Sequence, residues 1–204
     1  MKFTTGIVAF FALLFVGCSS PRLAVNPKWT SAPDKFTVIV SEPYVANSDD
    51  ISDDFGEDES FKKWSVAYLN DALNAFTSVP HSVRVVDDNT FMMAQLPLED
   101  GFIGVPLPVK EKMEGLTGIV VCVHPVRFWR EMSPCHNRNG GCINNKSLNL
   151  NVMYSIVSVE DSSVLAYGGA YDRSSFTFAM TKGDWENVVE GIAKKIVEKT
   201  PLQK

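Results

Sequence analysis

Two neighbouring stretches in the second half of the chain restrict its fold more than any other feature. Between Ser147 and Val157, the residues Leu148, Leu150, Val152, Tyr154 and Ile156 alternate with polar neighbours. A period of two sends successive side chains to opposite sides of a strand, so one face of this strand is buried and the other is wet. A second strand-rich run, Ser163 to Phe178, follows after the acidic segment Ser158-Val159-Glu160-Asp161-Ser162. Two such runs joined by a short polar turn predict an antiparallel hairpin. Gly168-Gly169 marks a kink or bulge in its second arm.

The buried face of that hairpin needs a cover, and two amphipathic helices supply one. Phe61, Trp64, Tyr68, Leu69, Ala72, Leu73 and Phe76 recur at spacings of three and four, which predicts a helix over about Ser60 to Ser78. Near the C-terminus, Thr181 and Asp184 have the spacing of a capping box. Trp185, Val188, Val189, Ile192, Ala193, Ile196 and Val197 then form the apolar stripe of a last helix, stopped by Pro201. The β-branched run Lys35 to Val40 and the run Thr117 to His124 read as buried strands, with Cys122 a small buried hydrophobe inside the second. Val83 to Val86 reads as a short strand, and Asp87-Asp88-Asn89 as the cap of a brief helix through about Leu96. Pro97 to Lys110 reads as irregular chain whose apolar residues pack on a neighbouring surface. This order predicts a single two-layer α+β domain over residues 35–204, a mixed sheet with amphipathic helices packed on it.

The first seventeen residues lie outside that domain. Lys2 gives a small positive start, Ile7 to Val16 is an uncharged apolar run, and Leu14-Phe15-Val16-Gly17-Cys18-Ser19-Ser20 follows. The run is short for a bilayer span and is flanked like a signal peptide over 1–17. The Gly-Cys junction resembles the lipobox of bacterial lipoproteins, with Phe15 where Leu is usual. That resemblance implies acylation of Cys18, by palmitate among other chains, and anchorage in a lipid bilayer. Ser19 implies, by the same resemblance, sorting to the outer membrane. The alternative is an ordinary signal peptide cut nearby. Residues 18–34, with Pro21, Pro27 and Pro33, read as a flexible tether, in which Trp29 is more readily a residue docked on the domain.

Composition narrows the functional classes. The formal net charge is −5, and no basic patch favours nucleic acid. Residues 47–60 are half acidic and read as a solvated loop, in which Asp49, Asp50, Asp53 and Asp54 are candidate partner contacts. As a calcium loop it fails, because the required Gly falls one place late and the bidentate acid position is Phe61. Arg127-Phe128-Trp129-Arg130 is a basic-aromatic cluster read as amphipathic edge or turn packing, with Arg127, Trp129 and Arg130 as further candidate contacts. His124 has no acid or nucleophile beside it in sequence and reads as structural. Cys135 and Cys142 flank a turn-rich loop and read as a local disulfide. A zinc site formed with His136 lacks a fourth ligand. No cofactor motif is present.

The lipobox, the helix after the first strand, the strand Ile119 to Val123, the hairpin Leu148 to Tyr171 with "SVEDSSVLAY" at its turn, and the last helix together form a pattern. It resembles the envelope lipoproteins of the TolB N-terminal, CsgG and LpoB-like group. The chain departs from that group in lacking the usual Gly in the turn and in carrying the Cys135–Cys142 loop. The group has no catalytic residues, so the resemblance implies a non-catalytic binding or accessory module in the cell envelope, contacting another envelope protein or the cell wall. The competing expectation is a small exported hydrolase built on a His and a carboxylate. No Gly-x-Ser-x-Gly elbow supports it.

Overall fold

A computed structural model describes residues 23–47, 49–133 and 145–204. Its strands are β1 (Leu23–Val25), β2 (Phe36–Ser41), β3 (Pro43–Val45), β4 (His81–Val86), β5 (Phe91–Leu98), β6 (Gly101–Pro108), β7 (Ile119–Ser133), β8 (Asn145–Ser158) and β9 (Val164–Phe176). Its helices are α1 (Asp49–Phe55), α2 (Asp58–Phe76) and α3 (Lys182–Val197). The described residues form a mixed sheet in the order β1-β9-β8-β7-β2-β4, with β3 also paired to β7, and a separate two-stranded β5-β6 hairpin. This is the expected single α+β domain.

The predicted hairpin is β8-β9, antiparallel from Val157↔Val164 to Lys146↔Phe176. Its turn works without the usual glycine. Ser162 takes a left-handed φ of 57°, and the Asp161 carboxylate accepts bonds from both the backbone N–H and the hydroxyl of Ser163. A short acid that caps its own turn offsets part of the strain that a Cβ meets there. Bonds from the Ser158 and Ser163 hydroxyls hold the Asp161 carboxyl below its ordinary range.

Alternation then sorts the sheet. Leu148, Leu150, Val152, Tyr154 and Ile156 join Val121, Val123, Val126 and Phe128 on one face, the inner face, and pack on α2 and α3. Trp185 sits fully buried at the junction. Its ring lies 5.6 Å from Phe55 of α1, 5.0 Å from Phe61 of α2 and 5.5 Å from Phe128 of β7, while its Nε1–H donates to Asp54 Oδ2 at 3.0 Å. Truncating a core Trp to Ala costs about 3–5 kcal/mol. Behind it, the Thr181 backbone N–H and hydroxyl both donate to Asp184 Oδ2, the predicted capping box. Gly191 brings α3 hard against β9, for a Cβ there would overlap the Asp172 carboxylate.

Four expectations are corrected. The acidic stretch is not a loop but the helix α1, because Ile51 and Phe55 give it an apolar side that reaches the core. The tether does not extend to residue 34: Leu23–Val25 pairs with Ala166–Gly168 as an edge strand, and Trp29 packs against the core. Beyond a single 3-10 turn at Asp88–Thr90, the brief helix through Leu96 is the strand β5. The irregular stretch after Pro97 is its partner β6, and the prolines fit because a two-stranded ribbon consists of edges.

This β5-β6 hairpin covers half of the outer face. Phe91 packs with Ile39, Val120 and Cys122, and the Ser155 hydroxyl donates to the Pro106 carbonyl. Burial pushes the Cys122 thiol up to about 12 from an ordinary 9.0, opposed by a hydrogen bond with Ser155. The unfolded thiol ionises first, so the folded state loses stability as pH rises through that interval, by about 1.4 kcal/mol per pH unit. Buried Tyr154, also pushed up from its ordinary 10.0, adds to the loss above pH 10, so the difference between proteins is the readout: in urea unfolding between pH 9 and 12, Cys122→Ala is expected to show a slope shallower than wild type by one proton's worth.

Candidate functional site

The other half of the outer face is open, and β7 supplies its centre. The β7-β8 register shifts between Val123 and Val126, after which Phe128 faces the helices while Arg127 and Trp129 face outward. The cross-strand rows are Arg127–Asn151–Tyr171 and Trp129–Asn149–Arg173. Tyr44 of β3 stands opposite Arg127 in the adjoining register and is 60% exposed.

Aromatics and arginines therefore occupy opposite diagonals of one rectangle. Two strand spacings by two residues make that rectangle about 9.5 by 6.6 Å. On one diagonal the rings of Trp129 and Tyr171 meet at 5.9 Å, and the Arg127 guanidinium lies 5.9 Å from the Trp129 centroid. That distance allows a cation–π attraction worth about 0.5–1 kcal/mol at an exposed site.

Asn149, fully buried beneath them, holds the arrangement in place. Its Oδ1 accepts the Tyr171 hydroxyl at 2.6 Å, and its Nδ2 donates to the Trp129 and Ser147 carbonyls, each at 3.3 Å. A buried amide bonded on both ends fixes the tyrosine above it, so the surface is preorganised. On the far side of β9, Lys195 Nζ binds Asp172 Oδ1 at 2.6 Å and the Tyr171 carbonyl at 2.5 Å, tying the same strand to α3.

The sequence cluster Arg127-Phe128-Trp129-Arg130 is thus not one patch, nor edge or turn packing. It lies within a fifteen-residue strand, and alternation divides it. Arg130 turns to the helix side, where it lines a cleft with Asp54, Lys146, Phe176, Phe178 and Met180. Asp54 and Arg130, far apart in sequence, do come together there, while Asp54 also anchors Trp185. Asp49 is exposed on α1. Cys18, Cys135, Cys142 and His136 lie outside the described residues, as do the side chains of Asp50 and Asp53. Tyr44, Asn149, Tyr171 and Arg173 are not legible as site residues from the sequence. Their one sequence signal is the period-two position they share with Trp129 once the register is known.

His124 has gained an acid. Its Nδ1 lies 3.5 Å from Asp88 Oδ1, too long and misaligned for a hydrogen bond, and its ring stacks on Phe91 at 5.3 Å. Ser41 and His124 are the residues that follow the paired Val40 and Val123, so Ser, His and Asp share one neighbourhood. The Ser41 hydroxyl, however, is buried without a hydrogen-bond partner among the described residues. That is the opposite of a nucleophile presented to substrate and bonded to its base. No group of three or more metal-ligating side chains occurs among the described residues.

No protein-family model matches the sequence, and no curated protein matches it. Several solved structures align along most of the chain at low identity. A PelC dodecamer from Paraburkholderia phytofirmans aligns at 13% identity over 91% of this chain and 99% of that chain, with a TM-score of 0.37. A minor lipoprotein from Acinetobacter baumannii aligns at 11% identity over 84% and 93%, with a TM-score of 0.40. A Helicobacter pylori homolog of a neuraminyllactose-binding hemagglutinin aligns at 10% identity over 85% and 87%, with a TM-score of 0.36. Similarity of this order has no bearing on function.

Removing the Tyr171 hydroxyl leaves the buried Asn149 carbonyl oxygen without its donor. Tyr171→Phe is expected to cost about 1–2 kcal/mol in urea unfolding while the far-ultraviolet dichroism is unchanged.

Proposed function

We propose that this chain is a lipid-anchored lipoprotein of the bacterial cell envelope, acting as a non-catalytic binding or accessory module. Its contact surface is the open half of the outer sheet face. The observation that carries this reading is the preorganised Trp129–Tyr171 pair with Arg127 and Arg173 at the other corners, held from below by Asn149. Trp, Tyr and Arg are the side chains that concentrate binding energy at protein interfaces, and rigid ones lose least entropy on docking. The partner in this reading is another envelope protein or the cell wall. The acidic charge of the chain argues against nucleic acid.

Anchorage rests on Leu14 to Ser20 and the acyl chains that Cys18 would carry, in the outer membrane by the identity of Ser19. The reading includes a Cys135–Cys142 bridge in the segment that joins β7 to β8 in sequence. The similarity of the sequence pattern to the TolB N-terminal, CsgG and LpoB-like group is in keeping with an accessory role.

A hydrolase is the second reading, favoured only by the convergence of Ser41, His124 and Asp88. It is the weaker one, because Ser41 is 1% exposed.

The anchor is tested by fractionation and by the intact mass of the mature protein. The expected result is an acylated N-terminus at Cys18, and release of the Cys18→Ala variant into the soluble fraction. A wild-type protein that is soluble and carries no acyl mass would defeat the proposal. A thiol count on the same sample is expected to find Cys122 alone, and only after unfolding.

A further inference from the structure

From the two unpaired arginines of the open sheet face and the width of that face, we infer that its partner is a single acidic amphipathic helix of another protein. This rests on the reading of the outer half-face as the contact surface and names what fits it. Arg127 and Arg173 are both exposed, and neither guanidinium has a salt bridge to a described residue. The chain as a whole is acidic, with a formal net charge of −5, yet none of its described carboxylates is placed beside this pair. Glu131 stands one outward row further on, with Ser147 and Ser175, and Asp172 is bonded to Lys195 on the helix side. Carboxylates from outside are what the pair lacks, and a guanidinium binds them through two parallel, charge-assisted hydrogen bonds.

The shape of the face selects a helix. The row Tyr44–Arg127–Asn151–Tyr171 crosses four strands, a width of about 14 Å. A helix with its side chains is about 10–12 Å across, so the face seats one and not two. On the ribbon side the face ends at Gly169, where a Cβ would lie 3.5 Å from Ile103 of β6. Arg127 and Arg173 occupy opposite corners of their rectangle, about 12 Å apart at strand spacing. Helix positions i and i+7 share one side at about 10.5 Å. Acids at those two positions meet the two guanidiniums, and an apolar residue between them lies over Trp129 and Tyr171.

A cell-wall glycan fits less well, because a sugar stacks on a bare ring face. The Arg127 guanidinium already lies over the Trp129 ring, 5.9 Å from its centroid, and the Trp129 and Tyr171 planes are tilted by 32°. This tilted, partly capped pair suits a branched aliphatic side chain better than a flat sugar. An extended segment is disfavoured too. At these rows β7 and β8 are paired on both sides, so a new strand finds no free backbone over the centre of the face.

The test titrates the mature, isotope-labelled Cys18→Ala protein with an alanine-based helical peptide carrying Glu, Leu and Glu at positions i, i+3 and i+7. Amide shifts are expected at Arg127, Trp129, Asn151, Tyr171 and Arg173, and not on α2. A peptide with Lys in place of both Glu residues is expected to produce none. The Arg127→Gln/Arg173→Gln double variant, with unchanged far-ultraviolet dichroism, is expected to bind the acidic peptide about tenfold more weakly. Raising the salt from about 50 to about 300 mM is expected to weaken binding several-fold. Polygalacturonate serves as the acidic-glycan probe. Shifts on the face from polygalacturonate but not from the peptide would overturn the inference and leave the contact-face reading standing. The same shifts on concentrating the protein alone would do likewise, by assigning the face to a second copy. A peptide without effect, or one bound equally by the double variant, would also overturn it. Shifts on α2 from either probe would instead remove the contact-face reading, and this inference with it.

Discussion

Three helices and the sheet meet at the indole of Trp185. It touches Phe55, Phe61 and Phe128, and its only polar atom is satisfied by Asp54. Without this contact α1 would have no reason to fold, since its sequence is four acids and a serine around Ile51 and Phe55. The indole therefore does two things at once. It closes the inner core, and it converts an acidic segment from solvated chain into a short helix. Because the helices cover most of the inner face of the sheet, the sheet surface left open lies mainly on the outer face.

The outer face is divided by the β5-β6 ribbon. Beneath it lie Cys122 and Ser155, dry enough to push the thiol up to about 12. Beyond it, the same strands carry Arg127, Trp129, Tyr171 and Arg173, held by one buried amide. One continuous set of strands thus serves as core at one end and as a contact surface at the other. The change occurs where the β7 register slips after Val123. The bulge sends Trp129 outward, and the strand's alternation makes Tyr171 its neighbour two strands away.

Much of this is readable without coordinates. The β8-β9 hairpin, the α2 stripe and the Thr181–Asp184 capping box follow from local period and local hydrogen bonding, which sequence reports directly. The ribbon β5-β6 escapes such a reading because Asp87-Asp88-Asn89 is an equally good opening for a helix or a single turn. Its three prolines also suggest irregular chain unless the strands are already known to be edges. α1 escapes it because charge count outweighs two apolar residues whose value depends on Trp185, about 130 positions later. The contact face is half legible. Arg127 and Trp129 stand out by type, but Arg130 groups with them until alternation places it on the opposite side. Asn149, Tyr171 and Arg173 become neighbours only through the β7-β8-β9 register, which no local pattern encodes.

The resulting picture is of a domain that presents one prepared half-face of its sheet to its surroundings. The most direct check is photocrosslinking in living cells from single probe positions on the two sides of the domain. Probes at position 44 or 173, on the open face, are expected to give a discrete adduct of defined mass. A probe at position 63, exposed on α2, is expected to give none. An adduct from α2 with a silent face would contradict the assignment of the outer sheet as the contact surface.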